Sequence, residues 1–267
     1  MWAELLTDEE TMNRRPDWYN RFFTGLYSRV LGSQFSPEAS LAHARIVKRL
    51  LRARKGQRVL DVPCGKGRLT IPLARLGLCM TGVDLTASYV RTARRLAAGE
   101  RLSVGFMQSD MRDIAFVGEF HGVFNWFGSF GYFTDEDNLL FCRKVYQALR
   151  PGGRFLIEGP NKSWIRTHFV SHAEHTIAGT RIVTRNGWDP KRRRVVGRWT
   201  FSRGGRRETK RTDMRIFDGA EIRQVLMAAG FRHIQLYGWP PVGRLTRHSR
   251  RMIAVAVKPW PGQDAHD

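Results

Sequence analysis

Cysteine is scarce and scattered: Cys64, Cys79 and Cys142 are the three in 267 residues, with no C-x-x-C pair and no metal-ligand spacing. That argues against a disulfide framework and against a zinc site, and it fits a reducing compartment. Long apolar runs are missing too. The start, MWAELLTDEE, lacks the basic-then-apolar pattern of a secretory signal, and no run approaches the length of a membrane span. A soluble cytoplasmic protein with no membrane partner is expected. Acids are the third shortage, 24 against 45 Lys and Arg, for a net charge of +21. Such a balance points to an anionic partner of some kind and says nothing about fold. Between Arg181 and Arg215 thirteen basic residues face three acids, so about half the excess lies in one stretch.

What is present is enough apolar side chain, 42% of residues, to bury a sizeable core. Trp18, Phe22, Leu26 and Val30 recur at four-residue steps, which predicts one helix face ending at Gly32. A second helix is predicted from Pro37, at a first-turn position after Ser36, towards Gly56. From there short strand-like runs alternate with helical patterns: RVLDV, CMTGVD, SVGFM, GVFNWF and RFLIE, with helices over 69–76, 87–97 and 135–149. Alternation of this kind predicts a parallel sheet wrapped by helices. Residues 180–217 read instead as three strands of an antiparallel insertion with Gly-containing turns at NGWDP and SRGG. Helix 218–229 and strands HIQLYG and RMIAVAV then complete the chain. The expected organisation is 1–55 as N-terminal helices, 56–160 as an α/β core, 161–217 as a loop with the β insertion, and 218–267 completing the core sheet.

The stretch VLDVPCGKGRLTIPLA runs strand, glycine turn, helix, which lets bare backbone and free N–H groups approach a ligand. A dinucleotide fingerprint requires a third small residue, and Thr70 holds that place. Asp61 at the strand end would oppose a pyrophosphate and suits a ligand carrying an ammonium group. Asp84 ends the next strand, 23 residues on, where a carboxylate accepts hydrogen bonds from ribose hydroxyls. Asp110 ends the third, where it can accept from an adenine amino group. One such Asp reads as a helix cap; three in register read as a nucleoside site.

With VLDVPCGKG, GVDLT, QSDMRD and LRPGGRFLIE in that order, the stretch from Arg58 to Glu158 resembles a class I S-adenosylmethionine-dependent methyltransferase of the bacterial small-molecule type. The resemblance implies a Rossmann-like, seven-stranded, mostly parallel α/β sheet with its last strand antiparallel. The cofactor it implies is S-adenosyl-L-methionine, contacted by Tyr19, Asp61, Pro63, Gly65, Gly67, Asp84, Leu85, Asp110, Met111, Asn125 and Phe127, with no metal. NWFGSFGYF resembles the fourth-strand end that borders both the sulfonium and the acceptor, and its aromatics suggest a flat or partly apolar small-molecule acceptor. Tyr19 and Phe22 take a lid role under the same resemblance.

Methyl transfer from a sulfonium is an in-line displacement, so positioning and exclusion of water dominate, with a base required for some acceptors. His168, His172 and His175 fall at helical spacing on the acceptor side, and His168 and Glu158 are the candidate bases. Without a third ligand, the last two histidines do not make a metal site. Arg192, Arg193 and Arg194 read as solvated residues after a hairpin turn. The alternative reading is an RNA or DNA methyltransferase gripping nucleic acid through the basic insertion. A scaffold that binds the nucleoside without turnover is a third.

Overall fold

The computed structural model describes residues 17–31 and 34–262. The aromatic N-terminal pattern forms two short helices, α1 (Trp18–Phe22) and α2 (Gly25–Leu31), in place of the single helix expected. Gly25 at the break takes a left-handed φ of +59°, and a Cβ there would collide with the Glu208 carboxylate. Helix α3 (Pro37–Leu50) begins as anticipated, with the Ser36 side chain accepting from Ala39 N–H.

Next come β1 (Arg58–Asp61), α4 (Thr70–Arg75), β2 (Cys79–Asp84), α5 (Ala87–Gly99), β3 (Gly105–Gln108), β4 (Phe120–Asn125), α6 (Asp135–Ala148) and β5 (Leu149–Pro160). The five strands are parallel in the order β3-β2-β1-β4-β5. After α7 (Lys162–Thr167) the chain leaves the sheet for an antiparallel meander of β6 (His172–Ile177), β7 (Thr180–Asp189), β8 (Arg194–Arg203) and β9 (Arg206–Arg215). Helix α8 (Gly219–Ala228), started by an Asp218/Glu221 capping box, leads back to β10 (Arg232–Trp239), the two-residue β11 (Gly243–Arg244) and β12 (Arg251–Val257). β12 lies between β5 and β10, antiparallel to both. The seven expected strands are therefore present, and β11 adds an eighth at the edge.

Successive strand residues alternate between two cores, as a sheet covered on both faces requires. Leu60, Val123, Phe155 and Ala254 face a core shared with Phe141 and Leu226. Val59, Phe124, Leu156 and Ile253 face one shared with Val47 and Leu73. Strand order reverses between β1 and β4, so their carboxyl ends open a crevice at the topological switch point. Over that crevice Phe22, Leu26, Tyr27 and Val30 of the first two helices pack on Ile182 and Phe201 of the insertion.

The insertion has four strands, not three. Its extra strand, β6, is the segment whose histidines read as one helix face; on a strand, His172 and His175 point to opposite sides, and both are exposed. Among the described residues, no helix is long and apolar enough to cross a membrane.

Candidate active site

The turn after β1 is shaped by two left-handed glycines, Gly65 (φ +58°) and Gly67 (φ +82°). A Cβ on Gly65 would meet open space, whereas one on Gly67 would press on Ile71 Cδ1 at 3.1 Å, so the second glycine lets α4 close against the turn. Asp84 Oδ2 accepts from Gly65 N–H and Oδ1 from Thr86 N–H, each at 2.8 Å, which fixes the carboxylate across the turn. Burial raises the Asp84 carboxyl above its ordinary range despite those two donors. Asp61 is more extreme: it is buried, accepts from Thr70 Oγ1 at 2.6 Å, and burial pushes its carboxyl up to about 8.

Asp110 caps a 3₁₀ turn (Met111–Asp113) and holds Arg112 in a two-point pair, Nη2–Oδ2 2.8 Å and Nε–Oδ1 3.1 Å. Arg112 also reaches Asp137 Oδ2 and the Tyr19 hydroxyl, both at 3.0 Å, and its guanidinium lies 4.3 Å from the centre of the Phe133 ring. Tyr19 is thus tied to the third strand end through a residue that sequence reasoning passed over. Lys66 makes a second tie, donating to the Ser28 carbonyl of α2.

These groups border one cavity of about 820 Å³. Tyr19, Asp61, Pro63, Gly65, Gly67, Asp84, Leu85, Asp110, Met111 and Phe127 all line it. Asn125 does not; it is fully buried behind the turn, where its Nδ2 donates to the Val62 carbonyl at 2.9 Å. The same cavity is lined by Trp18, Phe22, Phe23, Tyr27, Tyr132 and Trp199, an aromatic wall contributed by both helices, the segment after β4, and β8. Burial raises the Tyr132 phenol to about 12, so it remains protonated at neutral pH.

The two candidate bases are placed otherwise. Glu158 is 1% exposed, and its carboxylate accepts from Phe127 N–H at 2.8 Å and from Arg251 Nη2 at 3.0 Å, with a further bond from Arg251 Nε. Its lone pairs hold those two residues. The bond supports Phe127 in a left-handed conformation (φ +72°) that a bulky residue rarely adopts, which sets its ring against Phe35 and between Arg68 and Arg251. His168 ends α7, exposed, stacked on Trp164 with ring centres 4.5 Å apart, and stands outside the cavity.

Arg68 is the residue whose position carried no sequence signal. It lines the cavity with its guanidinium 4.4 Å from the centre of the Phe35 ring and 3.1 Å from His43 Nδ1, and burial lowers it to about 10.

The hairpin arginines are not solvated as a group. Arg194 is buried, with Nη1 donating to the Phe133 carbonyl at 2.9 Å and Nη2 to the Asp213 carbonyl at 2.8 Å. Arg192 pairs with Asp213 at 2.7 Å and Arg193 with Glu221 at 3.0 Å.

Residues 59–153, from β1 into β5, match the family model described as a methyltransferase domain. Over those residues the chain is similar to methyltransferase domains. Its sequence is 29% identical over 190 residues to a ubiquinone biosynthesis O-methyltransferase of Azorhizobium caulinodans, covering 71% of this chain and 64% of that one. Matches to curated relatives span 42% to 64% of the first two relatives' own lengths. The fold is that of class I S-adenosylmethionine-dependent methyltransferases. The CcbJ methyltransferase of Streptomyces caelestis superposes with a TM-score of 0.74 at 19% identity, over 87% of this chain and 96% of that one. SAM-bound CalS10, an amino pentose methyltransferase of Micromonospora echinaspora, does so with a TM-score of 0.62 at 19% identity, over 88% and 97%. The methyltransferase domain stops short of the two N-terminal helices and the β insertion, so the aromatic wall lies largely outside the matched residues.

Proposed function

We propose that this chain transfers a methyl group from S-adenosylmethionine to a small-molecule acceptor held against the aromatic wall. One observation carries the reading: Asp61, Asp84 and Asp110, from three successive strand ends, line the same cavity as that wall. The residues fit the cofactor. Open space at Gly65 admits it close to the backbone, Asp84 has lone pairs left for ribose hydroxyls, and Asp61 is a buried carboxyl bonded to Thr70, with Arg68 the cation whose charge reaches it, so an ammonium would add a second. Tyr19 and Met111 cover the nucleoside, and Asp110, already engaged by Arg112, offers its remaining lone pairs to the adenine side.

S-adenosylmethionine supplies the electrophilic methyl group. The chain's own part is to orient the acceptor and exclude water, to which the closely packed rings of Trp18, Phe23 and Tyr132 in the cavity lining contribute. His168 lies outside the cavity, and the Glu158 carboxylate is committed to Phe127 and Arg251, so neither is assigned a proton transfer. An acceptor atom that reacts once desolvated and aligned suits this lining.

The polynucleotide reading draws less from the insertion than its charge suggests, because Arg192, Arg193, Arg194 and Arg215 pair with Asp213, Glu221 and Asp135. The test is incubation with methyl-tritiated S-adenosylmethionine and a cell extract, followed by separation of small molecules from RNA. Label in the small-molecule fraction, insensitive to ribonuclease, is expected. Label confined to RNA would overturn the proposal.

A further inference from the structure

The insertion contributes a polar spot to a lining that is otherwise apolar there, and a glycine lies beneath it. Asn186, Gly197 and Thr212 are directly opposite one another across β7, β8 and β9. A Cβ placed on Gly197 would lie 2.6 Å from Thr212 Oγ1, 2.8 Å from Asn186 Oδ1 and 3.0 Å from Trp199 Nε1. Three hydrogen-bonding atoms therefore stand close together above Gly197, where any side chain would displace them. Asn186, Trp199 and Thr212 all line the cavity. The Asn186 amide is oriented by its Nδ2, which donates to the Val170 carbonyl at 3.1 Å, so Oδ1 is the atom turned to Gly197. The Trp199 ring is held by Phe22, edge to face at 5.5 Å, and by Phe201. Among the described residues, nothing else bonds Trp199 Nε1, Thr212 Oγ1 or Asn186 Oδ1.

The site offers one donor (indole N–H), one acceptor (amide oxygen) and one group that is either (hydroxyl). None of the three is ionisable near neutral pH. The complement is a neutral group that accepts and donates at a single atom: a hydroxyl. We infer that the acceptor of this methyltransferase carries a hydroxyl group seated among these three side chains where they line the cavity, accepting from Trp199 Nε1–H and donating to Asn186 Oδ1, with Thr212 Oγ1 completing the shell. The inference rests on the methyltransferase reading for its acceptor, but the polar spot is tested without turnover.

The probes are phenol and benzene, added to the full chain saturated with S-adenosylhomocysteine, whose binding is first established by calorimetry. Indole N–H signals are followed by ¹⁵N NMR, with Trp199 assigned from its loss in Trp199→Phe, which keeps the ring packing. Phenol should move the Trp199 signal downfield, and benzene should not. Thr212→Val, close to isosteric, should weaken phenol about fivefold, and Gly197→Ala, whose Cβ would displace Thr212 Oγ1 and Asn186 Oδ1, about tenfold or more, with benzene unaffected. Thermal melts of both variants check folding, and Thr212→Val decides if Gly197→Ala does not fold. No phenol shift, an equal shift with benzene, or unchanged phenol affinity in a folded Thr212→Val would each overturn the hydroxyl site. Absence of S-adenosylhomocysteine binding would instead count against the methyltransferase reading itself.

Discussion

Asp61 shows how a single residue can be named from sequence while its chemistry is set by the fold. Its place at a strand end beside two glycines was legible; its burial, and a carboxyl raised to about 8, depend on neighbours from α4 and the sheet. Because the folded-state value lies above the unfolded one of about 3.9, the folded chain holds a proton that the unfolded chain has lost between those values. This group therefore costs stability as pH rises from about 4 to about 8. An ammonium placed beside it reverses the balance. Calorimetry at pH 7 in buffers of differing ionisation enthalpy should show release of about one proton on binding S-adenosylhomocysteine, and none in Asp61→Asn. Equal release in both proteins would place the proton elsewhere. Arg68 and Arg112 were harder to see, since an arginine after a glycine turn or inside a short acidic loop looks like surface until the rings of Phe35 and Phe133 are found over it.

At the scale of elements, periodicity found each core strand and helix, because burial on one or two faces leaves its mark on the residues themselves. It failed where the partner is distant in sequence. The break between α1 and α2 is fixed from β9: Lys210 Nζ donates to the Arg21 and Phe22 carbonyls, both at 3.0 Å, and Glu208 Oε2 accepts from Leu26 N–H at 2.9 Å. A cation closes one helix and an anion opens the next, each favoured by the helix dipole. Strand β6 was misread for a related reason: it is an exposed edge strand whose polar residues carry no alternation to detect. Lys210→Met should leave the α1 carbonyls unpaired and loosen this segment, so limited trypsin digestion should cut after Arg21 several-fold faster than in the unaltered chain. Unchanged cleavage would mean that the ring packing alone holds the helices.

Across the whole molecule, part of the large positive charge is structural, since two arginines of its densest stretch are buried in ion pairs. Arg215 is 3% exposed and bonds Asp135 at 3.0 Å and Glu221 at 3.1 Å, joining the insertion to α6 and α8. Arg194 likewise carries the carbonyl of Phe133 in the cavity wall. Removing a buried paired arginine strands its partners, so Arg194→Ala should lose about 3 kcal/mol in denaturant unfolding. Arg192→Ala, half exposed, should lose less than about 1 kcal/mol. Equal small losses would return the insertion to the solvated surface that its sequence suggests.

The proposed nucleoside site is tested most directly by a calorimetric titration with S-adenosylhomocysteine and with NADH, on the unaltered chain and on Asp84→Ala. S-adenosylhomocysteine should bind and NADH should not, and the variant, folded, should lose about 1–3 kcal/mol of binding free energy through unpaired hydroxyl partners. Binding of NADH with no response to S-adenosylhomocysteine, or an unchanged affinity in Asp84→Ala, would contradict it.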